Sequence, residues 1–283
     1  EALGASLTRL KDSVAVRAGV RPDGPVALNC GESGLALRMF APVAALLSDR
    51  VTFTGEGSLL RRPVTMIGEA LGQLGVTTET SGGLLPVSLT GKLRPGRAFI
   101  DGSSGSQLLT GLLMALPMAD GDSIIDVANL TSRPYIGLTI RLLADFGVNI
   151  INEGFMTFNI PGRQVYRAHE YNVEGDWSGA AFLLVAGALA GSVTVTNIDR
   201  RSVQADRTVL DVLEESGAIL DITPGKITSS VSGLRAFTFD AADSPDLFPP
   251  LAALAARCEG TSRIRGVGRL RHKESDRAEA IAD

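Results

Sequence analysis

Apolar residues recur at helical spacing in four Ala/Leu-rich stretches: LALRMFAPVAALL (35–47), QLLTGLLMALPMA (107–119), AAFLLVAGALA (180–190) and LFPPLAALAARC (247–258). Positions three and four apart share one face of a helix, so each stretch predicts a helix with a broad buried stripe. After each comes a short run with the alternation of a strand: RVTFTG, SIIDVA, SVTVTN and TSRIRG. Small polar loops precede the helices: GESG, GSSGS, GDWSG and DSPD. Further polar loops follow the strands: SLLRRPV, LTSRPY, RSVQAD and RLRHKESD. Both sets of loops have the composition of helix starts.

A second helical pattern then closes on a glycine followed by a small or β-branched residue. It reads IGEALGQLGV, TIRLLADFGV and VLDVLEESGA, and the chain itself opens with EALGA. The glycines Gly4, Gly75, Gly147 and Gly217 are 71, 72 and 70 residues apart. A glycine in that place serves as a helix C-cap. One or two strand-like stretches follow it, as in AVRAG and FMTFNI. The chain therefore reads as roughly four copies of a β-α-β-α-β unit of about 71 residues, an α/β (α+β) protein.

Repetition explains architecture and does not by itself imply catalysis. The placement of the polar loops says more. They lie at helix N-termini, where free backbone N–H groups and the helix dipole favour anions. If these ends converge, they make a site for a strongly anionic ligand.

Composition narrows the choice. The 283 residues exceed one typical domain, and 45% are hydrophobic against 5% aromatic, so the core is expected to be built from Ala, Leu, Val and Ile. A net charge of −4 argues against a nucleic-acid binder, which needs a basic face. Cys30 and Cys258 lack metal-ligand spacing and read as reduced core thiols of a cytoplasmic protein. His169 and His272 are too few for a zinc site without carboxylate help. No apolar run reaches about 18 residues, so no transmembrane helix is expected, and no signal peptide is seen. The chain opens on Glu1, which suggests a piece of a longer protein.

The order GESGLALR, LLRRPV, GSQLLTGLLMALP, LTSRPYIGLT, EGDWSGAAFLL, DSPDLFPPLAALAA and EGTSRIRGVGRLRHKESDR resembles the 5-enolpyruvylshikimate-3-phosphate synthase family over essentially the whole chain. The resemblance implies a two-domain inside-out α/β barrel of the enolpyruvate transferase type. Each domain would hold three repeats around a pseudo-threefold axis, with the active site in the cleft between domains. Six units are then expected where about four are counted. Residues 1–171 would be the first domain without its first repeat, and 172–283 a partial second domain. The family's N-terminal Lys-Ser and Arg motif and its C-terminal basic residues find no match.

The same resemblance implies the reaction and its residues. The enolpyruvyl group of phosphoenolpyruvate would pass to the 5-hydroxyl of shikimate 3-phosphate, with release of phosphate and with no metal or organic cofactor. Gly34, Arg62, Gln107 and Arg277 match phosphoenolpyruvate-binding positions, with Arg38 beside them in the same loop. Glu32 stands where the family has Asn. Ser106, Gln107, Ser132, Tyr135, Asp246 and Lys273 match shikimate-3-phosphate-binding positions, and Gly105 stands where a serine is expected. Asp246 would take the proton of the 5-hydroxyl, and Glu274 would exchange a proton with the methylene carbon of phosphoenolpyruvate.

Plainer roles remain open for several of these: a helix-entry turn for Gly34, a solvated side chain for Arg62, and N-caps for Ser106 and Asp246. A related fold, the UDP-N-acetylglucosamine enolpyruvyl transferase, carries a Cys before its Arg-Pro pair, whereas GEGSLLRRPV has none. The alternative from another class is a truncated, non-catalytic domain pair that binds a phosphorylated ligand. A monomer is expected, with the two small-molecule substrates as partners and neither nucleic acid nor membrane.

Overall fold

A computed structural model describes residues 1–272 and 276–282. The glycine period reappears in its sheets. The first full copy runs β3 (Val26–Asn29), α1 (Gly34–Leu47), β4 (Arg50–Thr54), α2 (Thr65–Gly72), β5 (Thr77–Ser81) and β6 (Leu84–Thr90), after a hairpin of β1 (Ser6–Arg9) and β2 (Val14–Arg17). Its sheet has the order β3-β4-β6-β5, with β3 and β4 parallel and β6 antiparallel to both neighbours. The second copy repeats this with β7 (Arg97–Asp101), α3 (Gln107–Ala115), β8 (Ser123–Ala128), α4 (Arg133–Asp145), β9 (Ile151–Glu153) and β10 (Thr157–Ile160), in the order β7-β8-β10-β9. The parallel pair in each is what a helical crossover allows.

The third copy has α5 (Trp177–Ala190), β11 (Ser192–Thr196), α6 (Val209–Ser216), β12 (Ile219–Thr223) and β13 (Lys226–Ser230), ordered β11-β13-β12. The fourth has β14 (Thr238–Asp240), α7 (Phe248–Ala255), β15 (Arg263–Arg265) and α8 (Arg277–Ala282), with β14 and β15 parallel. Each unit that extends past its second helix closes on a hairpin rather than one strand. The turns explain this. Gly82 and Gly83 have φ of 61° and 83°, and Gly154 and Phe155 have φ of 62° and 60°, the left-handed pairs that fold a chain straight back on itself.

Gly4, Gly75, Gly147 and Gly217 take φ of 95°, 86°, 81° and 86°. After α2, α4 and α6 this is the conformation that ends a helix without a Cβ clash, whereas Gly4 lies in a turn with no helix before it, unlike the C-cap its sequence suggests. An arginine then returns to three of these points. The Arg94, Arg167 and Arg235 amides donate to the carbonyls of Leu74, Phe146 and Ser216 at 2.8–2.9 Å. Nε of Arg235 also donates to the Glu215 carbonyl at 2.9 Å. A cation at the negative end of a helix is well placed.

The chain forms two units: Glu1–Thr131 with Thr139–Ala168, and Ser132–Leu138 with His169–Asp283. Leu37, Phe53, Leu59, Ile67, Leu112, Leu113 and Phe158 are fully buried in the first. Trp177, Leu184, Val209, Leu213, Leu251 and Leu254 anchor the core of the second. In the first unit α1 and α3 pack together at Gly111, where an added Cβ would lie 2.5 Å from the Met39 carbonyl oxygen. Among the described residues no helix is long and apolar enough to cross a membrane.

Candidate anion-binding sites

In the first unit the site is built on the start of α1. The Ser33 side chain caps this helix by accepting the Ala36 N–H at 3.1 Å. Gly34 follows, buried, as the first helical residue. A Cβ there would lie 2.7 Å from Nη1 of Arg62 and 2.9 Å from Nη1 of Arg38. Two guanidinium groups thus converge on one glycine at the positive end of a helix. Like charges that close repel unless something negative shares the place. Arg38 sits one turn along α1, and its Nη1 donates to Oε1 of Gln107 at 3.0 Å.

Gln107 opens α3. Ser106 before it is buried, and its hydroxyl makes no cap bond, so the plain N-cap reading fails for this serine. Gly105 has φ of 123°, a region that L side chains rarely adopt. That conformation accounts for glycine where the resemblance expects serine.

Arg62 does not begin α2, as its sequence position suggests. It closes a 3-10 turn, Gly57–Arg61, in an extended conformation (φ −91°, ψ 128°), and α2 starts at Thr65. Pro63 is the cause, because the residue before a proline is driven out of helical geometry. The guanidinium therefore reaches across to the start of α1. The dipole argument holds for this arginine, but at a different helix.

In the second unit Ser132 is buried with φ of 57°, a strained conformation for a residue with a Cβ. Its N–H donates to Oδ1 of Asp243 at 3.0 Å. Tyr135, in the first turn of α4, donates its hydroxyl to Oδ2 of Asp206 at 3.1 Å. Asp206 is fully buried, takes a second, short hydrogen bond from the Ser178 hydroxyl, and leaves Oδ1 without a partner. Burial pushes the Asp206 carboxyl above the usual carboxylate range and the Tyr135 phenol above its own, and nearby Asp246 adds to both.

Asp246 lies in the 3-10 turn Pro245–Leu247 that leads into α7, and its side chain makes no cap bond there. Its Oδ1 instead receives Nη1 of Arg277 at 2.6 Å. Asp276 caps α8, with Oδ1 accepting the Ala278 and Glu279 amides at 3.1 and 3.2 Å. Lys273 and Glu274 lie outside the described residues.

The structure thus gathers Gly34, Arg38, Arg62 and Gln107 in one unit, and Tyr135, Asp246 and Arg277 in the other. It adds Asp206, Ser178 and Asp243, which sequence reasoning missed. Asp206 carried only the signal of its place, an acid in the second polar loop, RSVQAD.

Comparison with known proteins gives a family. The description "EPSP synthase (3-phosphoshikimate 1-carboxyvinyltransferase)" matches residues 1–283. The chain is 37% identical to the 3-phosphoshikimate 1-carboxyvinyltransferase of Clostridium beijerinckii, over 99% of this chain and 66% of that one. It is 39% identical to the Clostridium novyi protein of the same name, over 90% and 59%. Among solved structures, EPSP synthase from Acinetobacter baumannii superposes with a TM-score of 0.76 at 25% identity, covering 99% of this chain and 66% of that one. The chain spans 59–66% of the length of these proteins. With the α/β enolpyruvate transferase fold and a match along its whole length, the chain belongs to the EPSP synthase family.

Proposed function

We propose that this chain serves the transfer of the enolpyruvyl group from phosphoenolpyruvate to the 5-hydroxyl of shikimate 3-phosphate, with release of phosphate. The convergence of Arg38 and Arg62 over Gly34 carries the reading. Paired guanidinium groups at a helix start suit a phosphate or carboxylate, which they bind through charge-assisted hydrogen bonds. Gly34, Arg62, Gln107 and Arg277 would hold phosphoenolpyruvate. Ser106, Gln107, Ser132, Tyr135, Asp246 and Lys273 would hold shikimate 3-phosphate.

The chemistry is addition followed by elimination. The 5-hydroxyl oxygen bonds to C2 of phosphoenolpyruvate while C3 gains a proton, which gives a tetrahedral ketal phosphate. The C2–O bond to phosphate then breaks as C3 loses a proton, and the enol ether remains. Asp246 would accept the hydroxyl proton and Glu274 would serve C3. The step needs acid–base groups and cationic clamps, and its electron count calls for no redox partner. Arg277, bonded to Asp246 here, would move part of its contact to the incoming anion.

The test is release of inorganic phosphate from the two substrates together, with calorimetric titration of each alone. Because the chain spans 59–66% of its relatives, a second reading is binding of the phosphorylated ligands without turnover. Titration heat without phosphate release supports that second reading. Absence of heat for either ligand refutes both. The protein is taken as a monomer, which light scattering on the eluting species checks.

A further inference from the structure

We propose that Glu32 is a positioning residue that holds the Arg62 turn over the start of α1. The proposal rests on the reading of the Arg38–Arg62 pair as an anion site. Glu32 stands in the loop before α1, and its Oε2 accepts the Ser58 N–H at 2.9 Å, across 26 residues of sequence. Donation by the Ser58 amide, then by the Ser58 hydroxyl, holds the Glu32 carboxyl below its usual range, with Arg61 nearby adding to the effect. Ser58 is the second residue of the 3-10 turn Gly57–Arg61, and Arg62 follows directly. Gly57 has φ of 53°, and a Cβ on it would fall 2.3 Å from Oε2 of Glu32. Only a residue without a side chain lets the carboxylate come that near. The two loops are also tied by Cys30 N–H to the Thr54 carbonyl at 2.9 Å, Glu56 N–H to the Gly31 carbonyl at 2.8 Å, and Asn29 Nδ2 to Glu56 Oε1 at 3.0 Å. Those bonds fix the strand ends. Of these bonds between the two loops, the one to Glu32 reaches furthest into the turn, four residues before Arg62.

A negative charge beside a site for anions is a cost unless it does something else. Here its charge is taken up by the Ser58 amide and hydroxyl and by Arg61, so it organises the turn and leaves the Arg62 guanidinium to face Gly34. The shorter Asn side chain of the family pattern would place its amide about one methylene short of this reach.

The experiment compares the protein with Glu32→Ala, Glu32→Gln and Arg62→Ala. Amide exchange at Ser58 is read by NMR. Phosphoenolpyruvate is titrated with shikimate 3-phosphate present, and shikimate 3-phosphate is titrated alone. Glu32→Ala is expected to speed Ser58 exchange and weaken phosphoenolpyruvate on the order of tenfold, the effect of one hydrogen bond to a charged group. Shikimate 3-phosphate affinity and Tm should hold. Glu32→Gln should restore most of the loss, because its amide oxygen accepts the same N–H. If Arg62→Ala weakens phosphoenolpyruvate while Glu32→Ala leaves it unchanged, the positioning role is overturned and the anion site stands. If Glu32→Gln is as weak as Glu32→Ala, charge rather than geometry matters and the proposal falls. If the unaltered protein gives no heat with phosphoenolpyruvate, the anion site and the proposal fail together.

Discussion

Gly34→Ala adds one methyl group at the point where Arg38 and Arg62 meet. The backbone there is not in the left-handed region, so alanine fits the helix start. Alanine also narrows the unfolded ensemble and is the better helix former, which together contribute about 0.4–1 kcal/mol in favour of folding. The new methyl would stand 2.7 Å from Arg62 Nη1 and 2.9 Å from Arg38 Nη1, both at the far ends of flexible side chains. The Arg62 guanidinium must then retreat by roughly 0.7 Å to reach ordinary van der Waals separation. Folding tolerates that retreat, but a preformed anion clamp does not. Loss of one charge-assisted hydrogen bond costs about 1.5–3 kcal/mol, a fall in affinity of roughly ten- to a hundredfold. Calorimetric titration of phosphoenolpyruvate, alongside urea denaturation of the same preparation, separates the two effects. Affinity should drop while the urea midpoint stays or rises. Unchanged affinity would refute the convergence argument, and a lost midpoint would show that the methyl meets something stiffer than two side chains.

Other outcomes follow from the same geometry. Gly111→Ala drives a methyl against the Met39 main chain, which cannot swing aside, so a loss of about 1–3 kcal/mol is expected in urea unfolding together with weaker anion binding. Gly217→Ala forces a Cβ into φ of 86° at the end of α6 and should cost about 1–2 kcal/mol by the same assay. Asp206→Asn has a pH signature. The carboxyl is raised in the folded state, so its favourable contribution is complete below the unfolded pKa near about 3.9 and is lost as pH rises through the folded value. The stability of the Asn variant relative to the unaltered protein should therefore improve from pH 4 upward, and a constant difference in urea midpoint would refute the assignment. Tyr135→Phe removes a donor from that carboxyl and should destabilise by about 1–3 kcal/mol in urea unfolding; an unchanged midpoint would refute the bond's contribution.

What the sequence disclosed, and what it hid, follows from range. The glycine period was legible because a helix C-cap is a local event: one residue must take positive φ, and Gly75, Gly147 and Gly217 do. The small polar loops were legible for the same reason. The destination of Arg62 was not, because Pro63 redirects the backbone and the side chain then crosses back to the start of the first helix in the same copy. Gly105 looked like a missing hydroxyl, while its φ of 123° makes it a conformational requirement. Asp206 had nothing in its local pattern to single it out, and only folding encloses it between Tyr135 and Ser178. The arginines that return to the helix ends had a trace in the pairs Leu93-Arg94, Tyr166-Arg167 and Leu234-Arg235. It went unread because those stretches follow no helix or strand period.

The contact of Gly111 with the Met39 main chain sets limits on how this protein can be altered by selection. At Gly34 the two arginine heads can yield, so ligand preference can drift with little loss of foldedness. At Gly111 the neighbour is peptide, and the separation of α1 from α3 also sets the span from Arg38 to Gln107. A lineage could exchange either of those side chains one at a time, but the gap they bridge is inherited with the helix pair. The width of anion that the proposed site in the first unit would accept is therefore a property of its scaffold, and engineering a wider one means rebuilding two helices.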